Sequence, residues 1–506
     1  MTETTSGIEP LSGLDGTFLN LETFATPMHV GSLHLFEVPS GYQGDFVAAV
    51  TAMLEQRMVP VLRRRLATMP FNLSNPIWLQ GQIDLSRHIE RIRIPQPGDW
   101  SALQAVVANL HAELLDRSRP LWMLYVLEGL ASGQKAYYFK IHHAMLDGQA
   151  GAALADALFD TCATPLPRTT THIVSTHVDR KPSALSLVAA AFRHDATQYV
   201  NLVRDLPGVM RTLVGLVRSS GDHSVLPSPG KPAHAAKSKM AFGPRTPLNV
   251  TIGHERGFAA ATISLAEVSA IAKFCEVTVN DVVLAVCGGA LRRYLGRLGP
   301  LPKKALIASM PISLRSKGDT GFHTKATLSL VSLATTIANP VKRLQAVHGN
   351  TAATKHVAKK SKSVIPTDFP SIGVPWLVGT LANLYGRSGV PDAIPPLANV
   401  LISNVPGPTV PLYVGGLRMT GYWPLSIVEH GIGLNITLMS YDGKLCLGLT
   451  VARCAVPDVQ ILADDFLFAF DEMRDNTTAK PVKTSRIVHR AKRAVTRSVQ
   501  VKAAKA

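Results

Sequence analysis

The sequence predicts a mixed α/β protein (α/β, α+β) built as two blocks, and three observations carry that expectation. The chain has 506 residues, more than the length at which a single hydrophobic core stops growing. Hydrophobic residues make up 46% and charged residues 17%, enough for two large cores. Short alternating stretches interleave with longer helical runs in two regions, 1–165 and 246–475, separated by a linker at 166–245 and followed by a tail at 476–506.

In the first block, Val30 to Phe36 alternates as a strand, Phe46 to Arg57 and Ala102 to Asp116 carry helical spacing, and Leu121 to Leu127 reads as another strand. The block closes on Tyr137-Tyr138-Phe139-Lys140-Ile141-His142-His143-Ala144-Met145-Leu146-Asp147-Gly148. This is a strand ending in a histidine pair, a turn at Asp147-Gly148, and a small-residue helix running to about Phe159. The linker mixes Pro, Ser, Thr and His with short helical runs. Within it, Ala184 to Ser220 sets apolar residues among arginines and is broken at Pro207-Gly208 into two amphipathic helices, which either pack over the blocks or meet a lipid surface.

In the second block, Ala266 to Phe274 and Asp281 to Leu298 are helical, Ala305 to Pro311 is a strand, and Val400 to Pro408 is an apolar segment. Leu434 to Ser440 and Leu445 to Val451 flank Asp442-Gly443, a strong hairpin signal. The tail holds nine basic residues between Lys480 and Ala506 and no acidic ones, so it carries +9 of the net +17 and leaves +8 for the rest. More than half of the excess thus sits in an arm, suited to anionic lipid or to disorder. Basic and aromatic residues do not interleave as nucleic-acid binding requires, so no nucleic-acid partner is expected.

The five cysteines are widely spaced without a Cys-x-x-Cys pair, which fits a reducing compartment and neither a disulfide framework nor a zinc site. The start of the chain lacks a basic, then apolar leader pattern, and the uncharged segments Phe369 to Gly386 and Ala393 to Leu417 are broken by prolines and glycines. A cytoplasmic protein is expected, which, if it meets a membrane, does so from one side.

Side chains alternate along a strand, so His143 shares a face with Ile141, Phe139 and Tyr137, while His142 points the other way with Lys140. One of the pair can therefore face a given cavity. An imidazole with a pKa near ~6.5 takes a proton from a hydroxyl near neutral pH, as a general base must. The same residues also fit a core histidine beside an Asp147 that only caps a helix. Adjacent histidines on a strand diverge and no third ligand stands at metal spacing, so no metal is expected.

His142-His143-Ala144-Met145-Leu146-Asp147-Gly148 is joined by a set of motifs in order. They are Pro27-Met28-His29-Val30-Gly31, Leu62-Arg63-Arg64-Arg65-Leu66, Pro120-Leu121-Trp122, Thr246-Pro247-Leu248-Asn249, Val279-Asn280-Asp281-Val282, Met310-Pro311-Ile312-Ser313-Leu314-Arg315 and Ser403-Asn404-Val405-Pro406-Gly407-Pro408. With these, the chain resembles the bacterial bifunctional wax ester synthase/acyl-CoA:diacylglycerol acyltransferase family, a branch of the CoA-dependent acyltransferase superfamily. It departs from the family pattern at Gly321-Phe322 and Leu333-Ala334-Thr335, which bears on the substrate channel.

The resemblance implies two chloramphenicol acetyltransferase-like domains with a substrate tunnel between them and His143 as general base. It implies acyl-CoA as donor substrate, a long-chain alcohol or diacylglycerol as acceptor, no cofactor, and wax esters or triacylglycerols as products. A thioester is already electrophilic, so the alcohol needs activation and no acyl-enzyme is required. Asp147, with Gly148 at the turn, is implied to be structural, pairing with Arg63 as first choice and Arg315 as second. His142, Pro120-Leu121-Trp122 and Asn280-Asp281 are expected to shape the site, with Asn280 or Asp281 also readable as a helix cap. A peripheral contact with the inner membrane or lipid inclusions follows. Competing readings are the same fold acting on a polyketide diol, a carrier-bound thioester or an amine, and an inactive lipid-droplet coat.

Overall fold

The computed structural model describes residues 8–68, 75–146, 148–164, 242–313, 326–361, 384, 386, 388–393 and 395–478. The expected linker helices at 184–220, Asp147, Arg315 and the basic residues from Lys480 onward lie outside the described residues.

The first half contains β1 (Ile8–Pro10), α1 (Gly13–Leu21), β2 (His29–Glu37), α2 (Phe46–Arg57), β3 (Arg64–Ala67), β4 (Ile77–Gln80), β5 (Ile89–Arg93), α3 (Trp100–Ala112), β6 (Trp122–Glu128), β7 (Lys135–His142) and α4 (Gly148–Leu158). The second contains β8 (Arg256–Ser264), α5 (Leu265–Phe274), α6 (Val279–Leu298), β9 (Ile307–Ser313), β10 (Ala326–Ser332) and α7 (Pro340–Ser361). It continues with β11 (Val400–Val405), β12 (Tyr413–Val414), β13 (Leu417–Leu425), β14 (Leu434–Tyr441), β15 (Lys444–Ala452) and α8 (Val459–Thr478).

Local chemistry explains the element starts. Ser12 accepts the Asp15 N–H ahead of α1, Asp45 accepts that of Val47 ahead of α2, and Asp99 accepts that of Ala102 ahead of α3. The Asp99 cap starts α3 two residues before the expected Ala102, and an extended Glu113 ends it at Ala112, short of the expected Asp116. At the β14–β15 turn, Asp442 (φ 45°) and Gly443 (φ 74°) both take left-handed backbone, as a two-residue hairpin demands.

The strands form two six-stranded sheets and a small antiparallel one of order β1-β4-β3. The first large sheet runs β12-β13-β2-β7-β6-β5, and the second β10-β9-β11-β14-β15-β8. Two of the strands in the first sheet therefore come from the second half of the chain, an exchange that a linear division at 165 and 246 does not describe. β13 pairs antiparallel with β2 through Leu425↔Gly31 and Trp423↔Leu33. On its way it passes so close to β15 that a Cβ at Gly448 would stand 1.7 Å from the Pro424 carbonyl oxygen, so only glycine fits there.

Each large sheet has its own core. Around the first pack Val50 and Leu54 of α2, Leu103 and Val107 of α3, and Leu154 and Leu158 of α4. In the second, α6 is buried nearly all round at Val282 to Val286 and is flanked by Phe466, Phe470 and Met473 of α8. The halves are also joined where Gln104 of α3 accepts the Ala260 N–H of the edge strand β8 at 2.7 Å. Among the described residues no single helix is long and apolar enough to cross a membrane; α5 and α6 pass such a test only as a pair bent by 102°.

Candidate active site

Between the two large sheets lies a cavity of about 410 Å³, and its walls follow from strand and helix periodicity. Phe139, Ile141 and His143 line it from the end of β7, every second residue, while Lys140 and His142 do not. Val30 and Ser32 line it from β2, Met28 from just before that strand, and Tyr422 and Pro424 from β13. The parallel pair β11 and β14 presents Leu401, Ser403 and Val405 in register with Asn435, Thr437 and Met439. Leu14, Phe18 and Leu21, spaced one and two turns apart, turn the inner face of α1 onto it. Most of the lining is apolar, which suits long hydrocarbon chains.

His143 stands just past the last residue of β7. Its backbone N–H donates to the Met28 carbonyl at 2.9 Å, its carbonyl accepts from Leu146 N–H, and its ring stacks on Phe18 with centroids 4.2 Å apart at 17°. These contacts fix the half-buried imidazole at the cavity wall.

His142 is fully buried on the opposite side. Its Nδ1 accepts the Ala144 N–H at 3.1 Å, which places the ring proton on Nε2, 3.3 Å from Glu22 Oε1. The Glu22 carboxylate also accepts from Met28 N–H at 3.1 Å and from Arg117 Nη2 at 2.7 Å. Burial pushes this carboxyl up, but His142 and Arg117 together outweigh burial and hold it at about 2. Glu22 thereby ties the loop before β2 to the turn after β7. Sequence reasoning misses both Glu22 and α1, although Ser12 followed by Leu14, Phe18 and Leu21 at helical spacing carries the signal for the helix.

The back face of β7 continues as a buried polar layer. Lys140 Nζ donates to the carbonyls of Leu110 and Glu113 at the end of α3, at 2.7 and 2.9 Å, where a helix leaves carbonyls unpaired. Burial brings its pKa down to about 8. His111 Nε2 donates to the Ser426 carbonyl at 3.1 Å, so its Nδ1 accepts from the Tyr138 hydroxyl at 2.6 Å. This bond clamps α3 to the segment leaving β13. Burial lowers the His111 pKa to about 3, keeping the ring neutral.

Pro120, Leu121 and Trp122 are buried and do not line the cavity. The Leu121 carbonyl accepts the His142 N–H at 2.9 Å, and Trp122 Nε1 donates to the Leu62 carbonyl at 2.8 Å. The motif thus holds the end of β7 and the turn that carries Arg63. Arg63 is half-buried, and its carbonyl accepts from Gly81 N–H at 3.3 Å. Gly148 is the first residue of α4, whereas the expected pairing of Asp147 with Arg63 or Arg315 falls outside the described residues.

Asn280 and Asp281 also lie away from the cavity lining. The helix cap is neither of them but Thr278, whose hydroxyl accepts the Asp281 N–H while Asp281 returns a bond to the Thr278 N–H, a capping box. Asp281 is fully buried and accepts from Thr351 Oγ1 at 2.6 Å and His348 Nδ1 at 2.8 Å, so it fastens α6 to α7. Burial raises its pKa, and the Thr351, His348 and Thr278 bonds more than reverse that.

Known proteins resemble this chain over most of its length. The wax ester synthase/diacylglycerol acyltransferase catalytic domain family matches residues 11–283, and the WS/DGAT C-terminal domain family matches residues 324–474. A Mycobacterium tuberculosis H37Rv protein named "Probable diacyglycerol O-acyltransferase tgs2" is 35% identical over 470 residues, covering 88% of this chain and 95% of its own. A second protein of that strain with diacylglycerol O-acyltransferase in its name is 36% identical over 461 residues, covering 89% and 96%. Among solved structures, the wax ester synthase/diacylglycerol acyltransferase from Marinobacter aquaeolei VT8 is similar at a TM-score of 0.65 and 28% identity, covering 93% of this chain and 99% of that one. The first condensation domain of the CDA synthetase, at 13% identity and a TM-score of 0.52 over 93% and 97%, shares the fold.

Proposed function

This chain belongs to the wax ester synthase/diacylglycerol acyltransferase family and is an acyltransferase, and on that premise we propose that it transfers the acyl group of a long-chain acyl-CoA directly to the hydroxyl of a diacylglycerol or long-chain alcohol. The observation that carries this reading is His143 at the wall of an apolar cavity built by both sheets. In the proposed step the imidazole accepts the hydroxyl proton as the oxygen attacks the thioester carbonyl. The tetrahedral intermediate collapses, the C–S bond breaks, and the imidazolium returns the proton to the CoA thiolate. No covalent acyl-enzyme and no cofactor enter this scheme, since acyl-CoA arrives as a substrate.

The predominantly apolar lining supports an acceptor with long hydrocarbon chains, because burying such chains removes apolar surface from water. The test is purified protein with labelled palmitoyl-CoA and either hexadecanol or dipalmitoylglycerol. Labelled ester with at least one acceptor is expected. No ester with either, at protein levels where His143→Ala is equally blank, overturns the reading.

A peripheral contact with the inner membrane or lipid inclusions would bring such water-insoluble acceptors to the cavity, and the +9 tail supplies the charge for anionic lipid. Removing Lys480 to Ala506 is expected to reduce co-sedimentation with anionic vesicles; unchanged binding would contradict a role for the tail.

A further inference from the structure

Glu429 lies in the connection between β13 and β14 and lines the same cavity as His143. Among the described lining residues it is the one carboxylic acid, and His143 the one imidazole. A carboxyl in an apolar wall ordinarily has a charged or hydrogen-bonding partner.

Several neighbouring polar groups of the wall are already engaged with each other. Asn435 Nδ2 donates to the Ile427 carbonyl at 2.7 Å, Thr437 Oγ1 donates to Asn435 Oδ1 at 2.8 Å, and Ser32 Oγ shares a 2.6 Å bond with His34 Nε2. The Glu429 side chain has no hydrogen bond or ion pair with any described residue, and burial pushes its carboxyl up from the ordinary value; a carboxyl that holds its proton is a hydrogen-bond donor.

The two acceptor classes differ in what they bring into such a wall. A long-chain alcohol carries one polar group, the hydroxyl that His143 engages. A diacylglycerol carries the same hydroxyl and two ester carbonyls, which lose their water on entry and need donors. We propose that Glu429 is a specificity-determining residue that donates to an ester carbonyl of diacylglycerol and so sets the preference for diacylglycerol over long-chain alcohols. The inference rests on the acyl-transfer reading above and deepens it. Glu429 takes part in binding only, and no bond in the reaction is made or broken at it.

The test compares the 506-residue chain with Glu429→Gln, which keeps an N–H donor, and Glu429→Leu, which keeps bulk and loses it. Initial rates are measured with palmitoyl-CoA against dipalmitoylglycerol and against hexadecanol. Glu429→Leu is expected to raise KM for dipalmitoylglycerol about tenfold, the effect of one hydrogen bond left unmade, with KM for hexadecanol within about twofold of wild type. Glu429→Gln is expected to keep the wild-type ratio of the two acceptors within about threefold. An equal change for both acceptors, no change in Glu429→Leu, or Glu429→Gln falling together with Glu429→Leu overturns the inference. If Glu429→Leu does not fold, Glu429→Met carries the same comparison. If the wild type esterifies neither acceptor, the acyl-transfer reading itself falls and this inference with it; if it esterifies and the variants do not split the acceptors, only this inference falls.

Discussion

On one face of β7, Phe139, Ile141 and His143 look onto an apolar cavity; on the other, Lys140 and His142 are built into a layer with Glu22, Arg117, His111 and Tyr138. The two histidines are adjacent in sequence and opposite in use. His142 has both ring nitrogens directed at protein groups, the Ala144 amide and the Glu22 carboxylate, and it holds the turn. His143 sits at the cavity wall, held by its backbone and by stacking on Phe18. Strand alternation lets one dipeptide supply both a reactive group and the brace for the turn that presents it.

The largest effect is expected at the cavity face. His143→Ala should lower the rate of acyl transfer by about 10² to 10⁴, the contribution typical of a positioned base, while its melting temperature stays within a few degrees of wild type. Assaying ester product beside a thermal melt checks both halves, and a variant that melts early would merge the two faces.

Next comes the back face, where the prediction is a dependence of stability on pH. The Glu22 carboxyl is held at about 2 against an ordinary 4.5. Its folded pKa is depressed, so its contribution, roughly 3 kcal/mol, is fully present above pH ~4.5 and lost as pH falls toward ~2. Denaturant unfolding of wild type and Glu22→Gln should therefore differ most above pH ~5 and converge in acid. Curves that stay parallel down to pH ~3 would remove Glu22 from the account.

The smallest effect is expected one step further from the cavity. Trp122→Phe keeps most of the ring but leaves the Leu62 carbonyl without the indole N–H, a loss of about 1 to 2 kcal/mol. Acceptor KM values should not move, because Trp122 does not line the cavity. An acceptor-specific change would mean that the motif reaches the substrate.

The parts of this arrangement that local period encodes were readable from the chain. Phe46 to Arg57 is helical at the expected bounds, the Asp442-Gly443 hairpin forms, and the strand into the histidine pair turns alternate residues to the cavity. The pairing of β13 with β2 was not readable, because it joins residues some four hundred positions apart and its permissive feature is the missing Cβ of Gly448 under Pro424. Glu22 gave no signal either, since its partners His142 and Arg117 come from two other parts of the chain. At Asn280-Asp281 the local reading placed the cap too late. Thr278 begins the helix, and the aspartate answers it from the third position while reaching to α7, contacts that only the packed structure supplies.

The division of labour across β7 is tested most directly by single-turnover ester formation from palmitoyl-CoA in His143→Ala and Glu22→Gln side by side, each with its unfolding curve at pH 7. The account predicts that His143→Ala loses transfer and keeps its stability, while Glu22→Gln loses stability and, below its melting temperature, keeps transfer. Substantial transfer by folded His143→Ala, or loss of activity and stability together in both variants, would contradict it.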